Sequence, residues 1–218
     1  MPFDLLPPLL GGAVVTLALT FTSAGLALIL ALGAGLGRLS RWRAVRTVAA
    51  VYVEVFRGSS LLVQLFYFFF VLPLIGVRLP PFATGVLALS LNIGAYGSEI
   101  VRAAVQSVDP GQREAAIALN MPTGLALRRI ILPQAFVAML PPFGNLLVEL
   151  LKSTSLVSLI TLTELSFAGR QLVQQQGRVS EVYLLVLLLY LLMAYPLTRG
   201  MRLVERWMAR RVGVGAGS

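Results

Sequence analysis

Glu149 and Lys152 stand three residues apart, so one helix face would carry both, and they precede the run Ser153-Thr154-Ser155 and then Glu164. One carboxylate and one ammonium could meet the two ends of a zwitterion, and Asn145 is counted with them as a candidate solute contact. The same two ions could instead pair with each other or with a neighbouring subunit. Glu54 with Arg57 and Glu99 with Arg102 repeat the three-residue spacing. These are expected to be interfacial ion pairs that set helix position.

Little other chemistry is open to the chain. It has no Cys, no His and one Lys in 218 residues. Thiolate and imidazole metal sites, Ser/His and Cys/His nucleophile pairs and a disulfide framework are therefore excluded. A phosphate-binding loop needs GxxxxGK[ST], and Lys152 follows Leu151, so the chain is not an ATPase of that type. No catalytic residue, metal or bound cofactor is expected. The composition is 57 % apolar and 12 % charged, against roughly 45–50 % and about 25 % in soluble domains. A net charge of +9 on so apolar a chain lacks the water-facing basic groove that nucleic acid requires.

The elements that position these residues follow from the gaps between charges. A bilayer crossing needs about 20 apolar residues, and five gaps qualify: 5–37, 58–77, 79–98, 130–148 and 182–198. The expected fold class is an all-α membrane protein with five transmembrane helices in one domain over 1–218. The first gap has no basic leader and is too long for a secretory h-region, so it is expected to remain in the mature protein. Arg38, Arg41, Arg43 and Arg46 follow the first span, Arg102, Arg113, Arg128 and Arg129 separate the third and fourth, and Arg199, Arg202, Arg206, Arg210 and Arg211 close the chain. Those thirteen of eighteen cations share one side, which places the N-terminus outside and the C-terminus in the cytoplasm. Gly33 with Gly37, and Ser90, Gly94 and Ser98, are spaced for close helix packing. The aromatic residues around span two read as packing or lipid-facing surface. Residues 153–163 are too short to cross and fit a segment tucked near the outer face, followed by a polar outer loop at Gln171 and Gln174-Gln175-Gln176.

Between the third and fourth spans, residues 106–129 are too polar to cross and carry a helix signature. Asp109 suits an N-cap, Pro110 the first helical position and Gln112 the third, for a helix ending near Leu119. Asn120 tolerates the left-handed backbone that would turn the chain, and a second helix is expected from Thr123 until Pro133 opens span four. The product is a helix–turn–helix knuckle.

Glu114-Ala115-Ala116, Asn120 and Ile130-Ile131-Leu132-Pro133-Gln134-Ala135 resemble the EAA loop of ABC importer permeases. Tyr52-Val53-Glu54-Val55-Phe56-Arg57-Gly58, Leu61-Leu62-Val63-Gln64, Gly94-Ala95-Tyr96, Gly111-Gln112 and Lys152-Ser153-Thr154-Ser155-Leu156 resemble the polar amino acid (histidine/glutamine-type) permeases. Residues 139–152 are also similar to the ectoine and hydroxyectoine branch. Asn120 stands where the family has glycine, and Ser59-Ser60 where it has threonine-proline.

The resemblance implies a type I ABC importer permease fold in the bacterial inner membrane. A coupling loop at 106–132 would dock on a cytoplasmic ATPase dimer, which uses ATP and Mg, through Gly111, Gln112, Glu114, Ala115, Ala116, Asn120 and Pro133. A second permease subunit would complete the path, and an extracytoplasmic solute-binding protein would deliver a polar amino acid or similar zwitterion. An ion-coupled secondary transporter or channel is the alternative, for which no mid-span carboxylate is found in the five gaps.

Overall fold

The computed structural model describes residues 4–212, apart from the side chains of residues 209, 211 and 212, so of the C-terminal cations the side chain of Arg211 lies outside the described part. Helix α1 (Leu6–Arg38) is followed by α2 (Arg43–Gly58), then α3 (Leu61–Phe66), which continues through a π-turn at Tyr67–Val71 and a 3-10 turn at Leu72–Ile75. Then come α4 (Pro81–Ser107), α5 (Pro110–Ala118) and α6 (Thr123–Ala126), which a π-turn at Leu127–Ile131 joins to α7 (Leu132–Ser153). A 3-10 segment (Thr154–Ile160), α8 (Leu165–Gln176) and α9 (Val179–Val212) complete the described chain.

Helix α4 is the axle of this bundle, and glycine lets α1 lie against it. A Cβ on Gly35 would stand 2.6 Å from Val101 Cβ, one on Gly97 2.8 Å from Ala31 Cβ, and one on Gly94 2.8 Å from Leu30 Cβ. Matched positions rise together on both helices, so α1 and α4 run parallel. Ser90 Oγ adds a 3.1 Å bond to the Ser23 carbonyl within the same seam. Gly33, expected at this contact, meets nothing within 4 Å, whereas Gly35 and Gly97 form it. Spacing identifies a small-residue face but not which of two faces meets a neighbour.

Helix α7 runs against α4, with Phe143 beside Gly97 and Ala135 in one core cluster with Val105. Helix α9 reverses again, placing Met201 against Gly144 and Val186 in the cluster that holds Leu151. The first residues of α1 and the last of α9 therefore lie at opposite ends of the bundle, and α5 lies at the α9 C-terminal end.

Among the described residues three helices are long and apolar enough to cross a bilayer alone, Leu6–Arg38, Thr123–Ile160 and Val179–Met208. The pair Arg43–Gly58 and Leu61–Ile75, bent by 102° at its break, is apolar enough to make a fourth if the two helices act as one broken span. The straight helix expected over 58–77 is not formed: the helices on either side of Ser59-Ser60 meet at a sharp bend. This elbow at Ser59-Ser60 is held by Gln64, whose Nε2 donates to Phe56 O at 3.0 Å and Ser59 Oγ at 2.8 Å. Helix α4 is 27 residues long, about 40 Å at 1.5 Å per residue, but buries Thr84, Ser90, Asn92 and Ser98 among its neighbours. Those side chains lower its apolarity without meeting lipid.

Two further expectations change. The polar outer loop at Gln171–Gln176 is helix α8, closed by Gly177 at φ 69°. The knuckle's second helix does not stop before Pro133, because α6 runs through the π-turn into α7. There the widened turn accommodates the proline, which has no N–H to donate, and Gln134 Nε2 donates to the Ile130 carbonyl at 3.0 Å. The tucked segment at 154–160 is present, with Thr154, Val157, Ser158 and Ile160 buried.

Candidate functional site

Helix α5 is closed at both ends by its own sequence. Asp109 Oδ1 accepts the Gly111 N–H at 2.7 Å, and Pro110 needs no donor at the first position. At the far end Asn120 adopts φ 52°, its N–H reaches Ile117 O at 2.9 Å, and Met121 N–H reaches Ala116 O at 2.9 Å. This paired pattern satisfies the last carbonyls with asparagine where glycine is usual. Arg113 then donates to the Val105 carbonyl at 2.9 Å, tying the helix to the end of α4. A force on α5 therefore acts on the central helix directly.

Gly111, Gln112, Glu114, Ala115 and Asn120 are exposed on α5 and its turn. Ala116, expected on the same docking surface, points inward at 2 % exposure. Its small side chain serves the packing of α5 rather than a partner's approach. Ile117 and Leu119 are instead 72 % exposed each. Sequence reasoning missed them, although two large apolar residues flanking a polar turn are a usable sign of a protein contact.

Asn145, Glu149 and Lys152 are all exposed and share one face of α7, with Ser153 half-buried beside them. Among the described residues Glu149 and Lys152 form no ion pair with each other. Lys152 borders a cavity of about 500 Å³ with Ser155, Tyr183 and Tyr190. Glu164, assigned to the same set from sequence, lies elsewhere and is fully buried. It accepts the Phe167 N–H at 2.8 Å and the Tyr190 hydroxyl at 3.0 Å, and Thr16 Oγ1 donates to it at 3.4 Å. Glu164 therefore caps α8 and fastens it to α1 and α9, with no surface left for a solute.

The ion pairs are also rearranged. Glu99 takes Arg102 at 2.8 Å, as the spacing predicts, but also Arg38 and, at 3.5 Å, Arg57. The Arg57 guanidinium lies 5.2 Å from the centre of the Tyr96 ring. The Glu54–Arg57 pair is not formed, because the α4 carboxylate and ring lie nearer to Arg57 than its helical neighbour does. One carboxylate thus joins α1, α2 and α4.

The family described as "binding-protein-dependent transport system inner membrane component" matches residues 25–210. The chain belongs to that family. A probable amino-acid ABC transporter permease of Sinorhizobium fredii, y4tF, is 48 % identical over 95 % of this chain and 92 % of its own. The L-cystine transport system permease TcyB of Bacillus subtilis is 39 % identical over 97 % and 93 %, and the glutamine permease GlnP of Escherichia coli 35 % over 93 % and 94 %. The crystal structure of an amino acid ABC transporter with histidines superposes with a TM-score of 0.86 at 36 % identity, covering 92 % of this chain and 94 % of that one. The methionine transporter MetNI, at 18 % identity and a TM-score of 0.80, shares the fold.

This permease is accordingly a multi-pass protein of the bacterial inner membrane and a transport subunit of an ABC importer. Membership decides against the ion-coupled alternative. Permeases of this family work with an ATPase and a solute-binding protein.

Proposed function

We propose that this chain is one half of the membrane path of an importer for a polar amino acid or a similar zwitterion. It crosses the membrane five times with its N-terminus outside, and pairs with a second permease subunit, identical or homologous. Two cytoplasmic ATPase subunits bind ATP and Mg and close against the loops at 106–132 of the two halves. Gly111, Gln112, Glu114, Ala115, Asn120 and the exposed Ile117 and Leu119 form the contact, while Pro133 opens α7 just after the π-turn that carries motion into it. The chain itself binds no cofactor. The observation that carries this reading is the capped α5 helix, exposed on one side and tied through Arg113 to the central α4.

Asn145, Glu149, Lys152 and Ser153 are proposed to line the path near the outer half, where their common exposed face is available to the second subunit or to solute. The substrate class is supported by relatives named for cystine and glutamine.

Reconstitution of the permease with its ATPase and binding protein in proteoliposomes tests the proposal. Labelled amino acids, together with ectoine and hydroxyectoine for the narrower expectation, are offered with and without ATP and Mg. Accumulation of one or a few zwitterions only with ATP is expected. Uptake indifferent to ATP, or driven by an ion gradient, overturns it.

A further inference from the structure

Helix α9 carries a single row of side chains that changes character part-way along. Leu184, Leu188, Leu191 and Tyr195 recur at spacings of three and four residues, and Arg199, Arg202, Arg206 and Arg210 continue at the same spacings. Such spacings keep every member on one helix face. That face lies opposite the side packed on the bundle, where Val182, Val186 and Met193 are buried and Met201 meets Gly144.

Both parts of the row are uncovered in the subunit. Leu184 is 56 % exposed, Leu191 65 % and Tyr195 59 %, and all four arginines are exposed. Glu205, the only acid between residues 199 and 211, is half-buried. Among the described residues none of the four arginines forms an ion pair. The Arg199 guanidinium lies 5.1 Å from the centre of the Tyr195 ring, which holds it in line with the row.

Leucine that gives way to tyrosine and then to arginine on one face matches the boundary between hydrocarbon and headgroups in a leaflet. Whatever covers the leucines reaches Arg199 and Arg202 without a change of face. A soluble ATPase does not reach leucines within a span. A phospholipid matches both parts, with acyl chains against the leucines and an acidic phosphate on the guanidinium groups.

Distance along the helix grades the four charges. At 1.5 Å per residue, Arg202 lies about 5 Å beyond Arg199 and Arg210 about 16 Å beyond it. The headgroup layer is roughly 5–8 Å deep, so it takes in Arg199 and Arg202. Arg210 is past it by about 8 Å, one Debye length at physiological salt.

We propose that Arg199 and Arg202 bind the headgroup phosphate of an acidic phospholipid in the cytoplasmic leaflet, whose acyl chains lie along Leu188 and Leu191. This rests on the orientation proposed above, with the C-terminus in the cytoplasm.

The natural chain has no cysteine, so a fluorophore can be placed at Leu192→Cys alone, beside the row at a position 67 % exposed. The labelled complex, with its second subunit, is reconstituted in phosphatidylcholine vesicles containing increasing fractions of brominated phosphatidylglycerol or brominated phosphatidylcholine, whose bromines quench on contact. Quenching at lower mole fractions of the acidic lipid is expected, and 1 M salt should abolish the difference, because screening then reaches to about 3 Å. Arg199→Gln with Arg202→Gln should lower the preference by roughly fivefold or more, at about fivefold per surface arginine. Arg210→Gln, the same kind of charge change outside the layer, should leave it in place, and so should Arg199→Lys with Arg202→Lys. Equal quenching by the two lipids overturns the proposal, as does an Arg210→Gln effect equal to that of the pair, or a lysine pair that fails as the glutamine pair does. A fluorophore that neither lipid quenches gives the row to the second subunit and also overturns it. The orientation is read separately: labelling of Val204→Cys from outside the cell would refute it, whereas the lipid preference is measured in vesicles whichever way the chain inserts.

Discussion

Asn92 Nδ2 donates at 2.9 Å to the carbonyl of Phe56, which the elbow between α2 and α3 leaves without a helical partner. Gln64 Nε2 reaches the same oxygen at 3.0 Å, and the two amides meet at 3.4 Å. A break in a membrane helix persists only where such groups are satisfied by the protein itself. Asn92 and Gln64 therefore hold span two in its bent form.

Gln64→Leu removes four side-chain hydrogen bonds, to the Phe56 and Ser59 carbonyls, Ser59 Oγ and Asn92, from a buried site. The solubilised protein is expected to lose about 1–3 kcal/mol of stability. A thermal unfolding scan of the purified subunit against the unmodified chain reads this directly, and unchanged melting would show that the elbow does not depend on Gln64.

Asn120 sits at φ 52°, where alanine is strained and glycine is not. Asn120→Ala is expected to loosen the α5 turn and weaken coupling of ATP hydrolysis to uptake, whereas Asn120→Gly should couple at least as well as the native residue. Parallel uptake and hydrolysis rates in the reconstituted complex measure the ratio.

The start and stop of α5 were legible because Asp109-Pro110 and Asn120 act through local backbone chemistry that needs no partner. The elbow was not. Arg43, Arg46, Glu54 and Arg57 interrupt the apolar pattern before Gly58, so a search for charge-free stretches starts the span too late, while α4 supplies the carboxylate and ring that Arg57 uses. The role of Glu164 was hidden for a related reason. Its partners Thr16 and Tyr190 are 148 and 26 residues away, and only packing brings them to it. Glutamines made α8 look like a loop, although Gly177 marks its end.

Gly35 and Gly33 offer a direct contrast on one helix. Gly35→Ala would place a methyl 2.7 Å from the Ser98 carbonyl and push α1 away from α4, whereas Gly33→Ala meets open space. Loss of folded protein on size-exclusion chromatography is expected for the first and not the second.

Glu164→Gln keeps an acceptor for the Phe167 N–H and is expected to fold and transport. Glu164→Leu leaves that N–H unpaired and the Tyr190 hydroxyl with Ser166 Oγ alone, for a loss of about 1–3 kcal/mol. If Glu164→Gln abolished uptake at native stability, Glu164 would be a solute contact after all.

Attachment of the motor to α5 is tested most directly by cross-linking. A single cysteine replacing the exposed Ile117, carrying a short thiol-reactive photo-cross-linker, is placed in membranes with the ATPase subunit. Covalent capture of the ATPase from position 117, lost when α5 is masked by a bound antibody fragment, is the outcome this account predicts. Absence of any ATPase adduct in a complex that still transports, or modification of position 117 from outside the cell, would contradict it.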